Sequence, residues 1–419
     1  MFNKYVIESI VPGNGVLLYN TMNKAMIHLD RKVRSDSAFR RVNDETYLFL
    51  KKNYFFENHK IDDIVAAYRL NNKYSSNVVS LVIHTNYSCN LRCKYCYQSI
   101  LSDNKAFMNE KTQSKVVKFI YLLVKKFNPQ ILDICFIGGE PILMQDTIKS
   151  LMRRINQVPV KIRKYSVVTN GTLLDISTFL DLERLGVSSF QITLDGDKDI
   201  HDCRRYHLDK SGSFDKIMQN LRDLSHIGVQ RKIVLNYNLD HQNAEGVRPF
   251  LKVLHANKLQ YPVIFSLVFD NKNVDTGVTV SGAKTVWLEA HKEAIRWGYR
   301  YAPFYRMSYI ACGCQKTSSF VISPAGGLYK CISGIEDKNF FIGDIVDYES
   351  HKFSMNVSQF VERELPPKCE KCRYLLVCGS GCIYKNIYKG FRCLKEEIEA
   401  NDIPLVGYQY GHIIEGSCD

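Results

Sequence analysis

Cys89, Cys93 and Cys96, in Asn86-Tyr-Ser-Cys-Asn-Leu-Arg-Cys-Lys-Tyr-Cys-Tyr97, are separated by three and then two residues. Four-iron clusters normally take four thiolates, so three at this spacing hold three irons and leave one open to a substrate or cofactor. A zinc ribbon would instead show a paired Cys-x-x-Cys. The bland alternative is three buried cysteines in a turn. Aromatic residues flank the third cysteine, Tyr95 before it and Tyr97 after it.

Composition narrows the class. With 45% hydrophobic and 24% charged residues over 419 positions, the chain reads as a globular protein of two or three domains. The opening Met1-Phe-Asn-Lys-Tyr-Val does not resemble a signal peptide. The most apolar helical run, Val116 to Val124, is too short and too interrupted by lysine to span a membrane. Fourteen cysteines without an export signal point to metal or cluster ligation in a reducing cytoplasm rather than to disulfides. The net charge of +13 invites a nucleic-acid partner. Its densest clusters, however, are short and dispersed: Arg31-Lys32-Val33-Arg34, Lys161 to Lys164, and Arg204-Arg205.

Periodicity divides the chain into four stretches. Residues 1–76 carry short extended runs at Val16–Tyr19 and Ala25–Leu29, then helical text from Asp44 to Tyr68. From 77 to 305, apolar β-rich runs (Val78–His84, Ile131–Ile137, Tyr165–Thr169, Phe190–Leu194, Ile233–Tyr237, Val263–Phe269) alternate with amphipathic helical runs. Such alternation predicts βαβ units and a parallel sheet. Six units are too few for a closed eight-stranded barrel, so the expected fold is α/β, an open partial (β/α)6 barrel. Ligands of such sheets sit at the carboxyl ends of the strands, and the cysteine motif directly follows the first strand. Residues 306–395 are rich in glycine and cysteine, and 396–419 read as a short helical stretch and polar tail.

Further polar motifs follow the later strands. In Gly138-Gly139-Glu140-Pro141 the glycines would let the backbone approach a ligand, and the carboxylate could accept hydrogen bonds from an ammonium group. Thr169-Asn170-Gly171-Thr172 and Thr193-Leu194-Asp195-Gly196 set short polar side chains, Asn170, Thr193 and Asp195 among them, at the same edge. Each is also an ordinary turn sequence. In His201-Asp202-Cys203-Arg204-Arg205 either arginine could hold a carboxylate bidentately, or both could be surface charges. The C-terminal cysteines are Cys312, Cys314, Cys331, Cys369, Cys372, Cys378, Cys382 and Cys393. Cys369, Cys372, Cys378 and Cys382 alone could bind zinc, but that would leave Cys312, Cys331 and Cys393 without a purpose. Cys135, inside the second strand, reads as a core residue; Cys203 and Cys418 carry no assignment.

From Val78 to Cys393 these motifs resemble the radical S-adenosylmethionine (SAM) enzymes with a C-terminal SPASM domain, many of which mature ribosomally made peptides. The resemblance implies that Cys89, Cys93 and Cys96 bind a [4Fe-4S] cluster whose open iron SAM chelates. One-electron cleavage of SAM would give methionine and a 5′-deoxyadenosyl radical that abstracts hydrogen from the substrate. It implies SAM contacts from Tyr95, Gly138, Gly139, Glu140, Asn170, Thr193, Asp195 and Arg205. Two auxiliary [4Fe-4S] clusters are implied as well. Cys369, Cys372, Cys378 and Cys393 would hold the outer one; Cys312, Cys331 and Cys382 the inner one, with Cys314 a cramped candidate for its fourth ligand. An electron donor such as flavodoxin or ferredoxin is implied too.

Sulfatase-maturing members carry an aspartate after the cysteine matching Cys331, where this chain has Ile332. That departure favours a precursor-peptide substrate and a thioether or carbon–carbon crosslink, with residues 1–76 expected to recognise a leader peptide. The alternatives are a sulfatase-type protein maturase, a cofactor-biosynthesis enzyme, and, outside the class, a non-catalytic metal-binding module for nucleic acid.

Overall fold

The computed structural model describes residues 2–12, 15–29, 44–98, 101, 106–268, 280–299, 312–349 and 351–416. The basic run Arg31–Arg34, the boundary placed at 305–306, Phe269 and Cys418 lie outside these residues. The N-terminal segment forms an antiparallel sheet of β1 (Val6–Val11), β2 (Gly15–Asn20) and β3 (Met26–Leu29). Two helices, Asp44–Lys52 and Ile61–Tyr74, follow. The single helical run expected over Asp44–Tyr68 is therefore broken. Residue 54 turns left-handed (φ 57°) and the chain reverses before the second helix starts.

Six parallel strands come next: β4 (Val78–His84), β5 (Ile131–Ile137), β6 (Lys161–Thr169), β7 (Val187–Thr193), β8 (Ile233–Leu239) and β9 (Val263–Leu267). They pair in sequence order, as right-handed βαβ winding requires, and form the partial barrel. Alternation decides the faces. In β4, Val79, Leu81 and Ile83 are buried beneath the helices, while Ser80 and Val82 stay half-buried on the concave side. The helix Glu110–Phe127 shows why the covering layer forms. The Asn109 side chain accepts from the Thr112 amide at 2.9 Å, and Val116, Phe119, Ile120 and Leu123 repeat at helical spacing on the buried face.

The cysteine-rich region continues this sheet. β10 (Ser319–Ile322) adds in parallel to the free edge of β4, and β11 (Gly327–Tyr329) and β12 (Phe341–Asp344) follow antiparallel. The result is one nine-stranded sheet, ordered β9-β8-β7-β6-β5-β4-β10-β11-β12. Registered partners share a face. Phe341, Tyr329, Val321, Val82, Cys135 and Ser166 therefore form a single row across the concave side. This corrects the reading of Cys135 as core. Phe136 and Ile134 fill the helix-covered side, and Cys135 is half-buried on the opposite face.

Residues 396–416 are also more structured than a tail. A helix over Ile403–Gly416 packs against β1, where Val406 joins Ile7, Val11, Leu17 and Tyr19 in one apolar cluster. The contact is close because residue 407 is glycine. A Cβ there would stand 2.2 Å from the Ile10 carbonyl oxygen and 2.4 Å from Ser9 Oγ. Among the described residues, no helix is long and apolar enough to cross a membrane. Gly407→Ala should force the helix off β1 at a cost of about 1–3 kcal/mol. The expected readout is faster proteolysis within residues 1–76 with the barrel still protected; unchanged protection would mean the contact is dispensable.

Candidate active site

The cysteine motif leaves β4 as a loop that lies across the end of β5. Gly139 N donates to Asn86 O (3.1 Å), Glu140 N to Ser88 O (2.9 Å), and Asn86 Nδ2 to Ser88 O and Glu140 O. The two glycines are required by this approach. A Cβ on Gly138 would sit 2.4 Å from Asn86 Oδ1, and one on Gly139 2.3 Å from the carbonyl oxygens of Tyr87 and Ser88. Space that the sequence suggested for a ligand is thus filled by the cysteine loop itself.

Glu140 is fully buried. Its carboxylate accepts from Thr169 Oγ1 (2.7 Å), the Asn170 amide (2.7 Å) and the Ile142 amide (3.0 Å), tying the ends of β5 and β6 together. Burial pushes its pKa up, and these donors oppose the shift. Asn170 in turn reaches the cysteine loop, donating to Asn90 Oδ1 (2.8 Å) and lying 3.9 Å from Cys89 Sγ. Thr193, at the end of β7, is buried in register with Asn236.

A second network surrounds Tyr95. Its hydroxyl donates to Asp195 and accepts from Arg205 Nη1 (2.5 Å) and Asn238 Nδ2 (2.9 Å). Asp195, also fully buried, accepts from the Asn238 amide through its other oxygen (2.9 Å). His201 supports this corner. Its Nδ1 accepts from the Asp195 amide (3.2 Å), which leaves Nε2 to donate to Ser213 Oγ (3.0 Å); Ser213 then donates to Arg205 O (2.6 Å). Burial and the two arginines hold His201 well below its usual pKa, so it is neutral.

The two arginines have separate environments. Arg204 is engaged bidentately by Asp240 (3.1 and 2.8 Å). Arg205 is 6% exposed, bonds to Tyr95, and keeps a buried Nε without a hydrogen-bond partner. Its charge is felt by Cys89, Cys93 and Cys96 alike. Burial raises all three thiols, Cys89 to about 11 and Cys93 to about 12, and Arg205 works against each shift. Three converging thiols beside a buried guanidinium with an unused donor fit an iron–sulfur cluster carrying a carboxylate-bearing ligand.

The C-terminal cysteines fall into two sets. Cys314 is hydrogen-bonded with Cys312 and Cys331, and the Cys331 and Cys312 thiols act on Cys382. The bond with Cys314 holds Cys312 down to about 6. Cys378, Cys372 and Cys393 act together on Cys369. Cys382 thus lies with the first set and Cys393 with the second, which differs from the grouping a four-thiolate zinc site would need. Among the described residues, no three His, Cys, Asp or Glu side chains surround a point that could hold a single metal ion. Tyr97 spans the interval between motifs, within electrostatic reach of Cys96, Cys331 and Cys135.

Asn238 and Asp240 escaped the sequence reading, although Asn236 and Asn238 alternate in an otherwise apolar strand. Tyr87 and Glu336 gave no comparable signal. Gly139→Ala should keep the barrel but displace the cysteine loop. Roughly four fewer irons per chain are then expected after reconstitution; full iron content would show that the loop tolerates the Cβ.

Residues 83–254 match the family model described as the Radical SAM superfamily. A cysteine-type anaerobic sulfatase-maturating enzyme of Clostridium novyi (strain NT) is 27% identical over 335 residues, 70% of this chain and 85% of that protein. The structure of native anSMEcpe with bound AdoMet and Kp18Cys peptide aligns with a TM-score of 0.59 at 21% identity, over 78% of this chain and 98% of that one. Streptococcus suis SuiB bound to precursor peptide SuiA aligns at 0.56 and 16% identity, over 93% of this chain and 97% of that one. At these identities the structural likeness is one of fold. With the thiol motif, the partial barrel and the matched segment coinciding, residues 83–254 carry the radical SAM domain of an enzyme that resembles the maturases.

Proposed function

We propose that this enzyme matures a ribosomally made precursor peptide by installing an oxidative crosslink, a thioether or a carbon–carbon bond. The observation that carries the reading is the extent of the fold likeness. It reaches 93% of the chain for SuiB, crystallised with its precursor peptide, against 78% for anSMEcpe. The described residues of 1–76 include three strands and two helices seated on the cysteine-rich region. Tyr5, Met22, Ile61 and Val65 pack with Leu376, and Arg373 Nη2 donates to Val6 O (3.1 Å). A leader held on this unit would be anchored beside the cysteine-rich domain rather than on the barrel's outer helices.

In this reading Cys89, Cys93 and Cys96 hold the first [4Fe-4S] cluster. Cys312, Cys314, Cys331 and Cys382 hold an inner auxiliary cluster, and Cys369, Cys372, Cys378 and Cys393 an outer one. When bound, the first cluster supplies one-electron cleavage of SAM to methionine and the 5′-deoxyadenosyl radical. Arg205 receives the SAM carboxylate on its unused buried edge, and Tyr95 fixes the guanidinium. Asp195 and Asn238 fix Tyr95, and Glu140 keeps the cysteine loop, β5 and β6 in one arrangement. The concave face, lined by Ser166, Gln191, Asn236 and Ser266, offers polar groups to a peptide backbone. An external one-electron donor such as flavodoxin or ferredoxin completes the cycle.

A sulfatase-type protein substrate is the second reading, favoured by the curated relative that covers 70% of the chain. Ile332, partly exposed after Cys331, stands against it because a side chain there can neither give nor take a proton.

Anaerobic turnover with SAM, a reductant and candidate precursor peptides, read by mass spectrometry, tests the proposal. Loss of two hydrogens from the peptide is expected; a formylglycine product on a sulfatase peptide would move the enzyme to the second reading. Arg205→Ala should weaken SAM binding about tenfold or more, since a hydrogen bond to a charged group contributes about 1.5–3 kcal/mol. Wild-type SAM affinity in that variant would remove Arg205 from the site.

A further inference from the structure

Glu336 lies in the loop between Cys331 and β12, and its backbone is left-handed at φ 57°. A residue with a Cβ in this region is strained, at a cost of about 1 kcal/mol or more, and must be held there by its surroundings. Two phenols hold it. Tyr87 donates to Oε1, and Tyr329 donates to Oε2 at 3.0 Å. Tyr87 belongs to the cysteine loop, two residues before Cys89, and Tyr329 to β11, two residues before Cys331. One exposed carboxylate therefore bridges the strand ends that carry the first motif and the inner thiol set.

Its position on the sheet gives the bridge a chemical meaning. Tyr329 is registered with Val321, and Val321 with Val82, so the phenol stands on the concave face shared with Cys135 and Ser166. Asp344 on β12 is also within electrostatic reach of Glu336 and Tyr329, but the two phenols bond to Glu336; other carboxylates are spent elsewhere. Asp337 accepts from Tyr388 on a later helix, Glu140 and Asp195 are sealed in their networks, and Asp133 is paired with Arg163. Glu336 is exposed while both phenols are buried, so its carboxylate meets both the solvent side and the concave face.

We propose that Glu336 accepts the proton released when the substrate forms its new bond. This rests on the crosslinking reading above. The substrate carbon first gives a hydrogen atom to the deoxyadenosyl radical. The carbon radical then joins a side-chain heteroatom X, the X–H proton passes to Glu336, and one electron leaves to an iron–sulfur acceptor on the Cys312, Cys314, Cys331 and Cys382 side. Carbon, X, proton and electron are all accounted for. Position matters more here than basicity, because X–H becomes strongly acidic as the electron departs. Tyr87 and Tyr329 keep the carboxylate aimed, and their hydrogen bonds sustain the strained loop.

The test is Glu336→Gln, which keeps shape and hydrogen bonding, beside Glu336→Asp. Wild-type enzyme is first given peptide deuterated at the reacting carbon. Deuterium found in deoxyadenosine together with a crosslinked product establishes the underlying reading, and its absence would sink that reading independently of Glu336. Given transfer, the ratio of crosslinked peptide to deoxyadenosine should fall at least tenfold in Glu336→Gln and recover in part in Glu336→Asp. Peptide affinity of the cluster-free protein should change less than twofold. An unchanged ratio would overturn the proposal. So would a large loss of peptide affinity with the ratio intact, which would make Glu336 a binding contact.

Discussion

The site depends on one buried carboxylate. Glu140 has no exposed surface, and it is stable as a charged group only while the Thr169 hydroxyl and the amides of Asn170 and Ile142 face it together. Leaving even one buried polar partner unsatisfied costs about 1–3 kcal/mol, so the arrangement is close to all-or-none. The same few residues also receive the cysteine loop, through Gly139, Glu140 N and the Asn86 side chain. Barrel closure at β5 and β6 and the placement of Cys89 are therefore one event.

Sheet continuity is the second constraint. Because β10 adds in parallel to β4, the strand that launches the first cysteine motif is also the strand on which the cysteine-rich region is built. Of the inner thiols, Cys312, Cys314 and Cys331 flank β10 and β11, so their distance from Cys96 is set by hydrogen-bonded strands rather than by a flexible linker. Ser318 strengthens the joint, donating at 3.0 Å to Ser75 O and Val78 O. Tyr97, which responds to Cys96 and Cys331 together, fills the intervening space.

Much of this was legible in the chain, and what was missed has physical causes. β4 and β5 end where the apolar runs end, because buried parallel strands need uninterrupted apolar sequence and the following turns need glycine. The helix at Glu110–Phe127 was equally plain from its amphipathic periodicity. The β10–β4 pairing was not, since contacts between residues some 240 apart leave no periodic trace. Cys135 was misassigned because in an apolar strand either face looks like core, and only the register with Val82 and Ser166 decides it. The last helix was read as tail because its stripe (Leu405, Val406) faces β1, a strand itself unseen in the sequence. Of the site, the motif residues stood out as short polar side chains at strand ends. Glu336 did not, because its significance lies in two tyrosines that the fold brings to it.

Charge explains why those motif residues need such elaborate support. Arg204 and Arg205 are both more than nine-tenths buried, a situation that is tolerable only when each guanidinium has partners. Arg204 is matched by Asp240 in bidentate contact, although its buried Nε has no hydrogen-bond partner. Arg205 has no such bidentate carboxylate: Asp195 is 4.0 Å away and already accepts from Tyr95 and Asn238, and the Arg205 Nε is unpartnered as well. Nearby, burial drives three thiols toward the neutral form while Arg205 pulls each toward thiolate. Neither strain is relieved by the protein alone. Thiolates bound to iron and a carboxylate on Arg205 would relieve both at once, so the polypeptide is organised around charges that its ligands supply.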